Sequence, residues 1–186
     1  TSTLADGVTP YNGYLAALAA VAIANMDGDG KPEIVVGGLV FSAEGRLTAG
    51  AGLELAGGNG FGGPNSVIAD VNGDGTQDHV TGSVAYKLDG TVLWTNGAAD
   101  GYPALADFDG DGLPEMVVIS AGVARVHDAT TGMLLASLDM PGTGAGGPPT
   151  IADFNGDGAL DFASAVGDSY TIFGFSKAPA PAVSVI

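Results

Sequence analysis

The sequence predicts an all-β fold, a β-propeller of four-stranded antiparallel blades, and three observations predict it. A nine-residue acidic loop recurs four times, at 25–33, 70–78, 107–115 and 153–161. The loop starts are 45, 37 and 46 residues apart, and repeats of this size, each long enough for about four short strands, mark propeller blades. The runs between the loops are short, apolar and β-branched and are bounded by glycine, which favours strands over helices. Glycine supplies 32 of 186 residues and proline 10, while 46% are hydrophobic. That balance fits tight turns between buried strands rather than disorder.

In chain order, the apolar run Leu15–Ala24 reads as the buried inner strand of the first blade. It is about ten residues long, too short to span a bilayer. The first loop follows, and Ile34–Val36 leaves it as a strand. In the second unit, His79–Thr81 follows the loop, then Val84–Leu88, the turn Asp89–Gly90 and Thr91–Trp94. The third unit reads most clearly. Tyr102–Asp107 is its first strand, Glu115–Ser120 the second, Val123–His127 the third after Gly122, and Met133–Asp139 the fourth after the turn 128–132. In the fourth, Phe162–Ser164 follows the loop. The expected blades are 15–58, 59–98, 99–142 and 143–177 within a repeat domain of 1–177. Residues 178–186 form an Ala/Pro-rich tail or a closing strand.

Each loop places oxygen-bearing side chains at positions 1, 3, 5 and 9. These are Asn25, Asp27, Asp29 and Glu33; Asp70, Asn72, Asp74 and Asp78; Asp107, Asp109, Asp111 and Glu115; and Asp153, Asn155, Asp157 and Asp161. Calcium takes six to eight oxygen ligands, and alternate residues of a tight loop can aim carboxylates at one point. Gly30, Gly75, Gly112 and Gly158 permit the sharp turn at position 6. Position 7 is Lys31, Thr76, Leu113 or Ala159, an indifferent set expected to contribute only a backbone carbonyl. About four Ca²⁺ ions, one per repeat, are therefore expected. Asn25 stands where the other loops have Asp, so the first site is expected to be the weakest.

Charge supports this assignment. The chain carries 21 acidic residues against 5 basic ones, a net charge of −16, and thirteen of the acidic residues lie inside the four loops. Without cations, carboxylates so crowded repel one another. An EF-hand is excluded, because it needs a Glu at position 12 and flanking helices. Position 12 here is Val36, Thr81, Val118 or Ser164, and strand-like sequence follows.

The run Ile151–Gly158, led by Gly146–Thr150, resembles the FG-GAP and VCBS-type repeats of integrin-like calcium-binding propellers. Gly63, Pro64 and Ile68–Asp70, and Gly101–Pro103 with Leu105–Asp107, match the same pattern. The first repeat departs from it, with Ala16–Ala22 in place of the Gly/Pro lead-in. The resemblance covers roughly residues 15–175. It implies an extracellular propeller whose calcium loops brace the blades, with partner-binding loops on the opposite face. Such propellers usually have about seven blades. Three arrangements stay open: a closed four-blade ring, a piece of a larger propeller, or an open arc whose edge strands pair with another chain. The second and third are preferred, so a homo- or hetero-oligomer through open blade edges is expected.

No cysteine is present, so stability must come from the core and the metals. Calcium loops of this kind suit the calcium-rich exterior, and the expected localisation is extracellular. With a sequence pI near 4.1 and five Lys/Arg, nucleic acid is not an expected partner. No nucleophile elbow, zinc-protease motif or phosphate loop occurs. His79, following Asp78, is expected in a supporting or surface role, and His127 facing solvent. Trp94 and Tyr11, Tyr14, Tyr86, Tyr102 and Tyr170 are expected to pack within blades rather than to stack on sugars. The expected function is a non-enzymatic binding, adhesion or structural module with a protein or glycan partner. The alternative is the propeller domain of a secreted polysaccharide-degrading enzyme of lyase type.

Overall fold

The computed structural model describes residues 2–10, 19–50, 65–176 and 182–185. The chain divides into two compact units, Thr1–Asp100 and Gly101–Ile186. The first unit holds two sheets. One is β1 (Ala22–Ala24), β2 (Glu33–Val36), β3 (Leu39–Phe41) and β4 (Leu47–Ala49). The other is β5 (Val67–Ala69), β6 (Asp78–Val80), β7 (Val84–Tyr86) and β8 (Val92–Thr95). The second unit holds β9 (Tyr102–Ala106), β10 (Glu115–Ser120), β11 (Val123–Asp128) and β12 (Leu134–Asp139), then β13 (Thr150–Ala152), β14 (Asp161–Val166), β15 (Ser169–Ser176) and β16 (Ala182–Val185). Every sheet is an antiparallel meander in chain order, the form of a propeller blade. No helix occurs among the described residues.

In each blade the acidic loop joins the first strand to the second, and the loop's position-9 acid is the first residue of that second strand. The two residues after it point to opposite faces, because side chains alternate along a strand. Position 10 pairs across to the third strand as Ile34 with Phe41, His79 with Tyr86, Met116 with His127, and Phe162 with Phe173. Position 11 pairs as Val35 with Val40, Val80 with Ala85, Val117 with Val126, and Ala163 with Ile172. In the first three blades the third strand shifts register against the fourth between the partners of these two positions: Val40/Phe41, Ala85/Tyr86 and Val126/His127. A bulge at one repeated place steepens the local twist of each sheet.

The two faces have separate packing roles within each unit. In the first, Met26, Val35, Val40 and Ala49 pack with Ile68 and Leu88 of the second blade, while Leu39, Phe41 and Leu47 cluster with Ile34. In the second, Phe108, Val117, Ile119, Ala124 and Val126 of the third blade share one core with Phe162, Phe173 and Phe175 of the fourth. The innermost strands of neighbouring blades, β1 with β5 and β9 with β13, lie beside each other.

Several expectations are corrected. Only Ala22–Ala24 of the run 15–24 is a described strand, and Val21 and Ile23 are exposed rather than buried. Residues 11–18 lie outside the described residues, as do Tyr11 and Tyr14. His79 and His127 do not face solvent. They occupy the position-10 layer of their blades at 0% and 2% exposure. His79 stacks on Tyr86 with ring centroids 5.0 Å apart, much as Phe162 stacks on Phe173 at 4.8 Å. An imidazole here fills the space that an aromatic or aliphatic side chain fills in the other blades. Trp94 and Tyr86 are buried within their blade, whereas Tyr170 is 60% exposed.

Candidate metal centre

The four loops fold alike because the same side chains meet the same backbone amides. The position-3 oxygen accepts the position-5 N–H: Asp27 from Asp29 at 2.9 Å, Asn72 from Asp74 at 2.9 Å, Asp109 from Asp111 at 3.0 Å and Asn155 from Asp157 at 2.9 Å. The position-5 carboxylate accepts the position-7 N–H, from Lys31, Thr76, Leu113 and Ala159, at 2.7–2.9 Å. These Asx turns wind the chain so that alternate side chains face inward. Position 7 thus takes part through its backbone, which explains the tolerance of Lys, Thr, Leu and Ala there.

In loops two to four the position-1 Asp sits at the hub. Asp70 accepts from the N–H groups of Gly73, Asp74 and Gly75, Asp107 from Gly110, Asp111 and Gly112, and Asp153 from Gly156, Asp157 and Gly158. Both loop glycines have positive φ, 72° and 86° at Gly73 and Gly75 for example. A Cβ at Gly75 or Gly112 would meet nothing within 4 Å, so backbone conformation rather than crowding selects glycine. The sequence predicts this need at position 6; position 4 shares it.

The position-9 acid closes the loop from beneath. One oxygen accepts the position-2 N–H: Glu33 from Met26 at 2.8 Å, Asp78 from Val71 at 3.4 Å, Glu115 from Phe108 at 2.8 Å and Asp161 from Phe154 at 3.0 Å. These four acids are buried, with exposures of 8, 1, 7 and 1%. The other predicted side chains of the loops are exposed or partly exposed. Burial pushes the Asp78 carboxyl up to about 6, aided by the negative charges of Asp74 and Asp70. Burial also raises Glu115, with Asp109, Asp111 and Asp107 adding to the effect. In the opposite direction, the Thr76 amide lowers Asp74 and the Gly158 amide lowers Asp153. Burial and neighbouring carboxylates both disfavour the charged form of Asp78 and Glu115, and a bound cation would offset both effects.

In the first and third loops the donor set fits a hard cation, whereas among the described residues the second and fourth loops bring no three acidic groups so close together. Asp27, Asp29 and Glu33 bring carboxylate oxygens within 4.8 Å of one another, and so do Asp107, Asp109 and Glu115. All the groups that could ligate are oxygen, a set that suits Ca²⁺ or Mg²⁺ better than softer metals. Asn25 does not set the first loop apart by charge, since loops two and four also hold three acids each, with Asn72 and Asn155 at position 3.

Beside the loops of the first unit, Lys87 and Asp89 adjoin this centre, Lys87 Nζ standing 3.5 Å from Asp74 Oδ2. The loop spacing gives no sign of them, because they come from the turn before β8.

The family model of the FG-GAP-like repeat matches residues 107–164, in line with the resemblance drawn from the loops. No curated protein matches the sequence. Among solved structures, the chain is similar to the V. cholerae biofilm matrix protein Bap1, with TM-score 0.55 and 19% identity, covering 91% of this chain and 34% of that one. It is similar to the rhamnogalacturonan lyase YesW, with TM-score 0.54 and 18% identity, covering 89% and 27%. It is also similar to an Agrocybe aegerita lectin that recognises non-reducing terminal N-acetylglucosamine, with TM-score 0.50 and 14% identity, covering 99% and 56%. The chain therefore spans between about a quarter and just over half of the length of these structures, and at such identities the likeness is one of fold. Among the described residues, no helix is long and apolar enough to cross a membrane.

Proposed function

We propose that this chain is an extracellular calcium-binding β-propeller module, non-enzymatic, in which Ca²⁺ braces the hairpin between the first two strands of each blade and the assembled blades present a surface to a protein or glycan partner. The observation that carries this reading is the buried position-9 acid repeated at the foot of all four loops. Its burial as a charged group is costly, and a bound cation would offset that cost. The ion would be held by the oxygen-bearing side chains at positions 1, 3, 5 and 9 of each loop, with the backbone of Lys31, Thr76, Leu113 or Ala159 at position 7. When bound, it supplies a positive centre that ties a loop to the strand it precedes.

Calcium that binds only the folded chain stabilises it by RT ln(1 + [L]/Kd), about 2.7 kcal/mol per site at a hundredfold excess over Kd. Calorimetric titration of chelated protein should return about four ions. Asp111→Ala should lower Tm by several degrees in calcium and change little in EDTA. Equal losses in both conditions would reject the metal role.

A glycan array run with and without EDTA examines the partner. Retention that requires calcium supports a binding module, and its absence leaves the bracing role alone. The second reading, the propeller of a secreted polysaccharide-degrading enzyme, is supported by the fold shared with the rhamnogalacturonan lyase. It predicts cleavage of an acidic polysaccharide, seen as newly formed unsaturated ends by ultraviolet absorbance.

A further inference from the structure

Within each unit the two blades meet through the same joint. In the first, Met26 at loop position 2, Val35 at position 11 and its partner Val40 form a receiving face, and Ile68, the middle residue of β5, joins them in one core. In the second, Phe108, Val117 and its partner Val126 hold the same places, and Ile151, the middle residue of β13, joins them. Ile68 pairs with His79 and Ile151 with Phe162, so both inserting residues lie on the position-10 face of the following blade.

Two faces of these kinds are left open. On the fourth blade Phe154, at loop position 2, is 39% exposed. Ala165 and Tyr170 pair where the third blade buries Ile119 and Ala124, and both are exposed, Tyr170 at 60%. Ile172 is partly exposed where Val126 is buried, and only Ala163 is covered. This is a receiving face. On the first blade Ile23, the middle residue of β1, pairs with Ile34 and therefore stands where Ile68 and Ile151 stand. It is 63% exposed, and Val21 two residues before it is 56% exposed. This is an inserting face. Its outer strands, with Leu39, Phe41 and Leu47, form a buried cluster of their own, which leaves the inner strand free. Inner strands are where the blades adjoin in both units.

Complementarity decides the occupant. Neither open set contains a charged side chain, and joining them would remove apolar surface from water. Each chain carries one receiving face and one inserting face, the two halves of a joint that the fold already builds within each unit. A second copy therefore offers what each face lacks.

We propose that the open face of the fourth blade receives the first blade of a second copy. Ile23 of that copy joins Phe154 as Ile68 joins Met26 and Ile151 joins Phe108. The joint is heterologous, so copies either close a ring or extend a filament. Two copies together supply eight blades, the upper end of the usual propeller range, and a dimer is the expected closed form. The joint goes beyond the calcium reading and does not depend on it.

The test is sedimentation of the full chain in calcium, over a range of protein concentrations. A mass of two chains should appear and should dissociate on dilution. Phe154→Asp and Ile23→Asp should each weaken association about a hundredfold, the effect of an unpaired carboxylate at the centre of an interface. Both residues are exposed in the separate chain, so each variant should keep its fold, read as an unchanged Tm in dilute protein. Mixing the two variants should restore pairing, because Phe154 of one meets Ile23 of the other at one intact joint. A mass of one chain at every concentration overturns the proposal, whether the faces meet within one chain or take another occupant. So does a dimer that either variant leaves intact. So does a mixture that stays monomeric, the mark of a contact between two identical faces. Calcium stoichiometry in the same samples separates the two readings. Four ions on a monomer sinks this joint alone, and a dimer without calcium uptake sinks the metal reading alone.

Discussion

At the scale of single residues, two positions show local sequence yielding to its surroundings. Ala121 and Gly122 form the two-residue turn between β10 and β11, with φ of 52° and 77°. Such a turn needs positive φ at both places, where alanine is strained and glycine or asparagine is not. Ala121→Asn or Ala121→Gly should therefore stabilise the protein by about 1 kcal/mol, read as a rise of a few degrees in Tm. An unchanged or lower Tm would count against this turn. His79 is the second case. Burial lowers its pKa to about 4, opposed only in part by a backbone approach from Gly38 that falls outside hydrogen-bond geometry. The unfolded chain takes up this proton near pH 6.5, so the His79 contribution is present above pH 6.5 and is lost as pH falls toward 4. At about 1.36 kcal/mol per pKa unit it amounts to about 3 kcal/mol. Asp78 has the opposite sign. Its pKa is raised to about 6, so the metal-free fold is favoured by low pH and penalised as pH rises from about 4 to 6. In EDTA these two contributions oppose each other and nearly cancel between pH 4 and 6.5. His79→Phe, which copies Phe162 at the same repeat position, should make stability in EDTA fall more steeply, or rise less, with pH than in the unaltered protein. Denaturant midpoints across this range check the sign, and a variant whose pH slope matches that of the unaltered protein would refute it.

At the scale of strands and loops, position 2 of each loop reports how a blade meets its neighbour. Met26, Val71 and Phe108 are 2, 0 and 5% exposed, whereas Phe154 is 39% exposed. Phe108 stacks on Phe175 at 4.9 Å and meets Phe162 edge-on at 6.2 Å. Phe108→Ala should accordingly cost about 3–5 kcal/mol in urea unfolding, and Phe154→Ala less than about 1 kcal/mol, though the two stand at one place in the repeat. Comparable losses would mean that both rings are equally packed. The same contrast explains what can be read from the sequence. The loops and the strands that leave them, such as Glu115–Ser120, are encoded locally, by alternating oxygens, paired glycines and β-branched runs. The burial of His79 and His127 is encoded only by register, because nothing near either residue marks it as part of a core layer. Aligning them with Phe41, Met116 and Phe173 through the loops does mark it. Ile23 fails the other way: its apolar run reads as core, yet the residue lies on a three-residue first strand and is 63% exposed. The approach of Lys87 and Asp89 to the loops of the first unit is invisible in the sequence for a similar reason, since they reach that place only once the sheets are packed.

At the scale of the whole molecule, the balance of charge sets the conditions under which the fold is favoured. A net charge of −16 on 186 residues opposes compaction, and thirteen of the 21 acids sit in four loops where they are closest to one another. The ion pairs of Lys31 with Glu44 at 3.4 Å and Lys87 with Asp74 at 3.5 Å are exposed and do little to offset this. About four calcium ions would halve the net charge, and would place the positive charge where the repulsion is strongest. Two kinds of screening then have different reach. Sodium chloride acts through a Debye length of about 10 Å at 0.1 M and weakens all exposed repulsions alike. Calcium held in the loops would act at ligand distance and remove the largest of them. The metal-free protein should therefore gain stability with added salt, its Tm rising by several degrees between low salt and about 0.5 M sodium chloride. In millimolar calcium the same salt series should leave Tm nearly level, because little repulsion is left to screen. Parallel salt slopes in EDTA and in calcium would show that the loop carboxylates are not where this fold stores its electrostatic strain.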